Sequence, residues 1–292
     1  MASAPPPTPA PAVRPQAGGP PRVALVTRGD LFPTNHGAAV RIVRTAEYLS
    51  LLGAPVCVIT DDKDAYWRFV DGVPERVPYG ARVRAALEWP GVRQAPGLAD
   101  RVCRRLGYPD EELFLYRAQF DPSWWARVLW VGRHERIQVF QAEFPGYGVP
   151  CALAARALGG RSSIVQHNVE WDRLQDVLGL SAQELRAVRA LELAALRLVD
   201  EVLAVSADDR ARMEAAGVPP HKITVIPHGV DRVAWDRPAA RMRLGLGLPP
   251  DAPVLVFHGT LHYWPNTQAV RFLAEALLPR VLPVHPEEQV LH

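Results

Sequence analysis

Cysteine is scarce in this chain of 292 residues: three occur, Cys57, Cys103 and Cys151. None stands in a Cys-x-x-Cys spacing, which argues against a disulfide framework and for thiols packed as small hydrophobes in a reducing compartment. Long apolar runs are missing too. None approaches the ~18 residues that a membrane-spanning helix needs. Excess charge of one sign is absent: the net charge is +2, the basic residues are mostly arginine, and they are scattered among acidic ones. Nothing here marks a nucleic-acid binder. The first segment, Met1 to Pro21, is rich in Pro and Ala and has no apolar core of the signal-peptide kind. It reads as a disordered or polyproline-like tail, and the expected location is the cytoplasm.

What is present is an alternation of strand and helix. Hydrophobic residues make up 48% of the chain, enough for a packed core, and the length suits one large domain or two ordinary ones. Arg22-Val-Ala-Leu-Val-Thr27 is a short apolar run, read as a first strand buried on both faces. The loop Arg28–His36 leads to Gly37, where a helix begins. Ala39, Ile42, Val43, Ala46 and Leu49 recur at helical spacing, and Gly53 ends the helix. Pro55–Thr60 is a second strand. Strand, loop, helix and strand form a right-handed βαβ unit with a parallel sheet. Gly37 lets a phosphate or sugar approach a helix N-terminus closely; a plain turn glycine is the alternative.

Residues 61–136 carry little pattern. Trp124, Trp125 and Trp130 fall in a helix after the Asp121-Pro-Ser turn, and core packing is preferred to an aromatic surface for a lipid or glycan. Ile137–Phe140 is a strand with Glu143 in the loop after it, and Pro150–Leu158 is a helix. Ser162–Gln166 is a strand that delivers His167-Asn-Val-Glu170 to its carboxyl end, where ligands sit in open α/β sheets. His167 and Glu170 there suit sugar hydrogen bonding or acid/base work; a histidine bonded to the backbone at a strand end is the alternative. Ser181-Ala-Gln-Glu184 is a capping box opening a long helix on which Glu192 lies on or beside the buried stripe. Glu201–Val205 is a strand, and Ser206 is an N-cap rather than a nucleophile, since no Gly-x-Ser-x-Gly surrounds it.

Ile223–Ile226 reads as a short buried strand that stops at Pro227 and turns at Gly229. It is the expected seam between two α/β domains. A fresh strand, Pro253–His258, a Gly259 loop and a helix from Pro265 follow, with Ala269, Val270, Phe272, Leu273, Ala276 and Leu277 as its buried face. The expected domains are a tail over 1–21, a Rossmann-like unit over 22–220, and the seam with an incomplete second unit over 221–292.

The motifs in order resemble the retaining glycosyltransferases of family 4, which have the two-domain GT-B fold. His36-Gly37-Ala-Ala with Arg41 resembles the Gly-rich loop after the first strand. Val165-Gln-His167-Asn is similar to the strand-end His motif, and Glu192 with Asp200-Glu-Val-Leu-Ala-Val-Ser206 to the E…D-x-V…V-S segment. Ile226-Pro-His-Gly-Val-Asp231 matches the I-P-N-G-V-D signature with His for Asn. Phe257-His-Gly-Thr-Leu with Tyr263-Trp-Pro-Asn266 resembles an F-x-G-x-L…Y-x-P-N variant. The resemblance implies sugar transfer from a nucleotide-diphosphate donor to a glycan or lipid-linked acceptor, with retention, with no cofactor beyond the nucleotide sugar and no required metal. It implies peripheral contact with the inner face of a membrane. His167 is the catalytic candidate. Gly37, Asn168, Glu170, Gly229, Gly259, Thr260 and Asn266 are the donor- or substrate-binding candidates.

Some features depart from the family. Thr260-Leu-His262 stands where an arginine of the diphosphate clamp is usual, and the family's donor-binding Glu-x7-Glu segment is expected well beyond position 292. A complete second domain would need roughly another 100 residues. The expectation is therefore a C-terminally truncated transferase whose 292-residue chain shows no turnover. The alternative is a non-catalytic acceptor- or partner-binding module retaining the first domain. A different GT-B enzyme, such as a nucleotide-sugar epimerase, is disfavoured by the Ile226–Asp231 motif.

Overall fold

The first strand is apolar at every position, and such a strand must be covered on both faces. The computed structural model, which describes residues 19–34, 37–229, 256–259, 261 and 264–281, shows how. Strand β1 is Val23–Val26, buried throughout. Its side chains alternate: Val23 and Leu25 join a cluster with Ile42, Val43 and Ala46, while Ala24 and Val26 join the larger core on the other face. Ile42, Val43 and Ala46 belong to the helix Gly37–Leu51, the helix expected from their spacing. Strand β2, Val56–Ile59, splits in the same way and pairs parallel with β1.

The remaining strands are β3 Ala65–Val70, β4 Val73–Pro78, β5 Val139–Ala142, β6 Arg161–Gln166, β7 Glu201–Ala204 and β8 Ile223–Val225. They form one sheet in the order β4-β3-β2-β1-β5-β6-β7-β8. Six strands are parallel; β3 and β4 form an antiparallel hairpin on the β2 edge. The expected α/β class with a parallel sheet is therefore the observed one. The order also contains a reversal. From β1 the chain moves outward to β2, and later returns to lay β5 on the other side of β1. The carboxyl ends of β1 and β5 thus flank a switch point, where open sheets of this class hold ligands.

The hairpin falls in residues 61–136, where the sequence carries little pattern. Its turn is Asp71-Gly72, and both residues have positive φ, 50° and 78°. That is the backbone of the two-residue turn whose twist matches paired strands. Pro74 and Pro78 in β4 fit an outermost strand, where missing N–H groups cost no ladder bond. The tryptophan helix is Pro122–His134, capped by the Asp121 carboxylate, which accepts from Ser123 N. Trp124 is buried under the Arg127 guanidinium, 4.0 Å from the ring, and Trp130 stacks on His134. Core packing thus accounts for these two; Trp125 is exposed.

A second correction concerns β8. Only Ile223 is buried; Thr224 is exposed, Val225 half-buried, and Ile226 exposed. Among the described residues β8 is the last strand of the sheet, with β7 as its partner on one side. Glu192 lies on the buried stripe of the helix Ala182–Leu198, as expected, and is wholly buried with Val188, Ala195 and Leu196. All three cysteines are buried free thiols.

The chain divides into two units, one holding the sheet and ending at His228, the other comprising 176–179 and everything from Gly229 onward. Within the second, the described helix runs Trp264–Arg271, continues as a π-turn over Phe272–Leu277, and ends at Leu278–Val281. None of Ala269, Val270, Phe272, Leu273, Ala276 and Leu277 is buried, contrary to the expected buried face. The strand expected over Pro253–His258 lies partly outside the described residues; Val256, Phe257 and His258 are described and carry no strand. The Pro/Ala tail to residue 18 also lies outside them.

Candidate active site

The site is assembled from strand ends. Glu143 follows β5, and its N–H donates to the Val26 carbonyl at 2.9 Å, which ties the β5 loop to the end of β1 across the switch point. His167 follows β6, and its Nε2 stands 3.2 Å from the Glu143 carboxylate. Both side chains are nearly out of solvent, 8% and 2% exposed. The other Glu143 oxygen accepts from Gln141 Nε2 at 2.7 Å. The Glu143 contact on Nε2 holds the His167 ring in place. Phe144 packs against that ring, centroids 5.0 Å apart.

His228, just after β8, lies stacked beside His167 at 6.2 Å between centroids. Arg41, in the second turn of the helix that begins at Gly37, donates to His228 Nδ1 at 3.0 Å. A guanidinium has no acceptor, so His228 meets it as a neutral ring. Burial lowers the His228 pKa, and the neighbouring Arg41 and His167 push it the same way. The sheet unit therefore gathers one carboxylate, two imidazoles and one guanidinium at its carboxyl edge. Gly37 opens the helix beside them, exposed, with no atom within 4 Å of where a Cβ would stand.

The sequence-named residues fall into three groups. Gly37 and His167 come to this edge. Asn168 is exposed in the same turn. Glu170 is buried and turned to a different partner: its carboxylate accepts from Arg173 Nε at 2.6 Å. The carboxylate that meets His167 is thus Glu143, not Glu170. Gly229, Gly259 and Asn266 belong to the second unit. There a Cβ on Gly259 would stand 2.7 Å from Asn266 Nδ2, so the glycine allows that close packing. Thr260 and His36 lie outside the described residues. Sequence reasoning missed the pairing of Glu143 with His167 and of Arg41 with His228. The available signal was the strand order: Glu143 and His167 end adjacent parallel strands.

Among the described residues, no group of three His, Cys, Asp or Glu side chains is placed to hold a metal ion. No described helix is long and apolar enough to cross a membrane. A separate cavity of about 300 Å³, lined by Trp171, Asp172, Gln175, Arg189 and Arg212 among others, contains none of the sequence-named residues.

Among solved structures, Anabaena Alr3699/HepE in complex with UDP-glucose is 16% identical over 77% of this chain and 50% of that one, with a TM-score of 0.44. Sucrose-phosphate synthase (tll1590) from Thermosynechococcus elongatus is 14% identical over 80% of this chain and 54% of that one, with a TM-score of 0.47. The chain spans about half the length of these structures. No curated protein matches the sequence. The model of Glycosyltransferase Family 4 matches residues 35–233, a stretch that holds β2 to β8, Glu143, His167 and His228. That match covers more than half of the 292 residues, and the chain belongs to glycosyltransferase family 4.

Proposed function

We propose that this chain carries the acceptor-side half of a retaining glycosyl transfer, in which a sugar passes from a nucleotide-diphosphate donor to a glycan or lipid-linked acceptor. The observation that carries the reading is the Glu143–His167 pair at the carboxyl edge of the sheet, beside the switch point. The reaction builds positive charge on the departing sugar and negative charge on the diphosphate. His167, backed by a buried carboxylate, is suited to hydrogen-bond a sugar hydroxyl and lower the energy of an oxocarbenium-like centre. Gly37 and Arg41 are suited to the anionic side: an open helix N-terminus and a guanidinium both favour phosphate oxygens. Asn168 and Glu170 belong to the substrate side, and Gly229, Gly259, Thr260 and Asn266 to the donor side, in a two-domain GT-B arrangement. No metal is required on this reading, since N–H groups and cations supply the stabilisation. The setting is the cytoplasm, with the acceptor met at the inner face of the membrane.

The test is transfer from a panel of radiolabelled nucleotide sugars to lipid and glycan acceptors, with the full-length protein and His167→Ala. The expected loss in kcat is about 10²–10⁴-fold, with the circular dichroism unchanged. An unchanged kcat in a folded variant removes His167 from the chemistry. A thermal-shift series with the same nucleotides reads donor binding, because a ligand of the native state raises Tm. No shift and no transfer with any donor favours a non-catalytic binding module.

A further inference from the structure

Three residues, His167-Asn-Val169, separate the end of β6 at Gln166 from the helix Glu170–Leu178. So short a turn has few bonds of its own. The helix begins with N–H groups that lack intrahelical partners, and Val169, the residue before it, has no side-chain acceptor to offer. The need is met from a distance of some twenty residues. Glu192 Oε1 accepts from Glu170 N and Glu192 Oε2 from Trp171 N, each at 3.0 Å. Glu192 Oε1 also accepts from Gln166 Nε2 at 2.5 Å. One carboxyl group thus holds the last residue of β6 and the first two of the helix, the two ends of the turn that carries His167.

Its setting makes the arrangement costly for a purely structural device. Glu192 and Gln166 are wholly buried and Glu170 nearly so. Burial, and after it the charge of Glu170, push the Glu192 carboxyl up to about 8, although the three hydrogen bonds work the other way. A polar group kept in an apolar stripe with all its contacts on one turn points to the turn.

We propose that Glu192 is a positioning residue for the transfer site, clamping both ends of the His167–Val169 turn and so fixing where the His167 ring meets Glu143. The inference rests on the reading of His167 as the catalytic group. Glu192 bonds the two ends of the turn and not the ring; it acts through the backbone.

The experiment compares Glu192→Gln, Glu192→Asp and Glu192→Leu in the full-length protein. Gln keeps one acceptor of the same reach, enough for one of the two backbone N–H groups, and sets an amide donor against the other. Leu removes the acceptors, and Asp withdraws them by one methylene. Three readouts are taken: kcat against KM in transfer, the His167 Cε1–H resonance, and amide exchange over 167–171. The expected result is kcat lowered at least tenfold in Leu and Asp with donor KM within about twofold, a smaller fall in Gln, a displaced His167 resonance, and faster exchange at Glu170 and Trp171. If Glu192→Leu does not fold, Glu192→Asp decides alone. A folded Asp or Leu variant with wild-type kcat and an unmoved His167 resonance overturns the proposal. A matched fall in stability with KM and kcat both intact also overturns it, leaving a plain helix cap. Resonance and exchange are read without turnover. Failure of the catalytic reading, seen as a fully active His167→Ala, is therefore separable from failure of the clamp.

Discussion

At the scale of single residues, environment rather than identity sets the chemistry. Glu143 and Glu192 are both buried glutamates at the sheet unit's carboxyl edge, yet they face different partners. Glu143 meets an imidazole and a glutamine amide; Glu192 meets two backbone N–H groups and a glutamine amide, with a second glutamate close by. The Glu192 carboxyl is raised from 4.5 to about 8, so the folded protein holds its proton more tightly than the unfolded chain does. The sign of the linkage follows. Its contribution to stability is complete below about pH 4.5 and is lost as pH rises through about 8. Glu192→Gln, which has no proton to lose, is expected to unfold with a flatter dependence on pH. In urea titrations from pH 5 to 9, the wild type should lose a few kcal/mol relative to the variant toward the alkaline end. Parallel curves for the two proteins would refute the raised carboxyl.

At the scale of elements, local signals were legible wherever the chain itself closes the contact. The Ser181 capping box appears as expected, with Ser181 Oγ accepting from Glu184 N and the Glu184 carboxylate reaching back to Ser181 N. Ser206 is an N-cap, bonded to Asp209 N. The Asp71-Gly72 hairpin was equally open to reading, since aspartate-glycine between two β-rich runs is a strong hairpin signal. The prolines of β4 obscured it. Close approaches between elements were not legible. Gly146 lies in the turn after β5, and a Cβ there would stand 1.7 Å from the Leu115 carbonyl oxygen. That neighbour is backbone and cannot swing away. Gly146→Ala is therefore expected to destabilise the protein by at least ~3 kcal/mol, in the range of severe core substitutions. A urea midpoint within experimental error of wild type would show that the Leu115 segment yields freely.

At the scale of the whole molecule, the buried hydrophobic side chains are unevenly placed. Every one among the described residues lies between Val23 and Ile223. The buried residues of both apolar clusters, one on each face of the sheet, lie within that span, and Val225 packs against the larger one just beyond it. A fragment of residues 19–228 is expected to unfold cooperatively, with a midpoint within a few degrees of the corresponding transition in the full chain. Loss of amide dispersion in the fragment's NMR spectrum would show that the sheet unit depends on residues beyond His228. The sequence by itself determined the six parallel strands, the main helices outside residues 61–120, their caps and the parallel α/β class, because each depends on periodicity and on residues within a turn of one another. It also carried the family, in the motifs within the matched residues 35–233. Only the tertiary structure decided which side chains meet. Strand order set Glu143, not Glu170, against His167. The switch point put Arg41 within reach of His228 across 187 residues of chain, and helix packing carried the Glu192 carboxyl under the turn it holds. Such contacts depend on how strands are ordered and helices laid, and no local pattern in the chain encodes them.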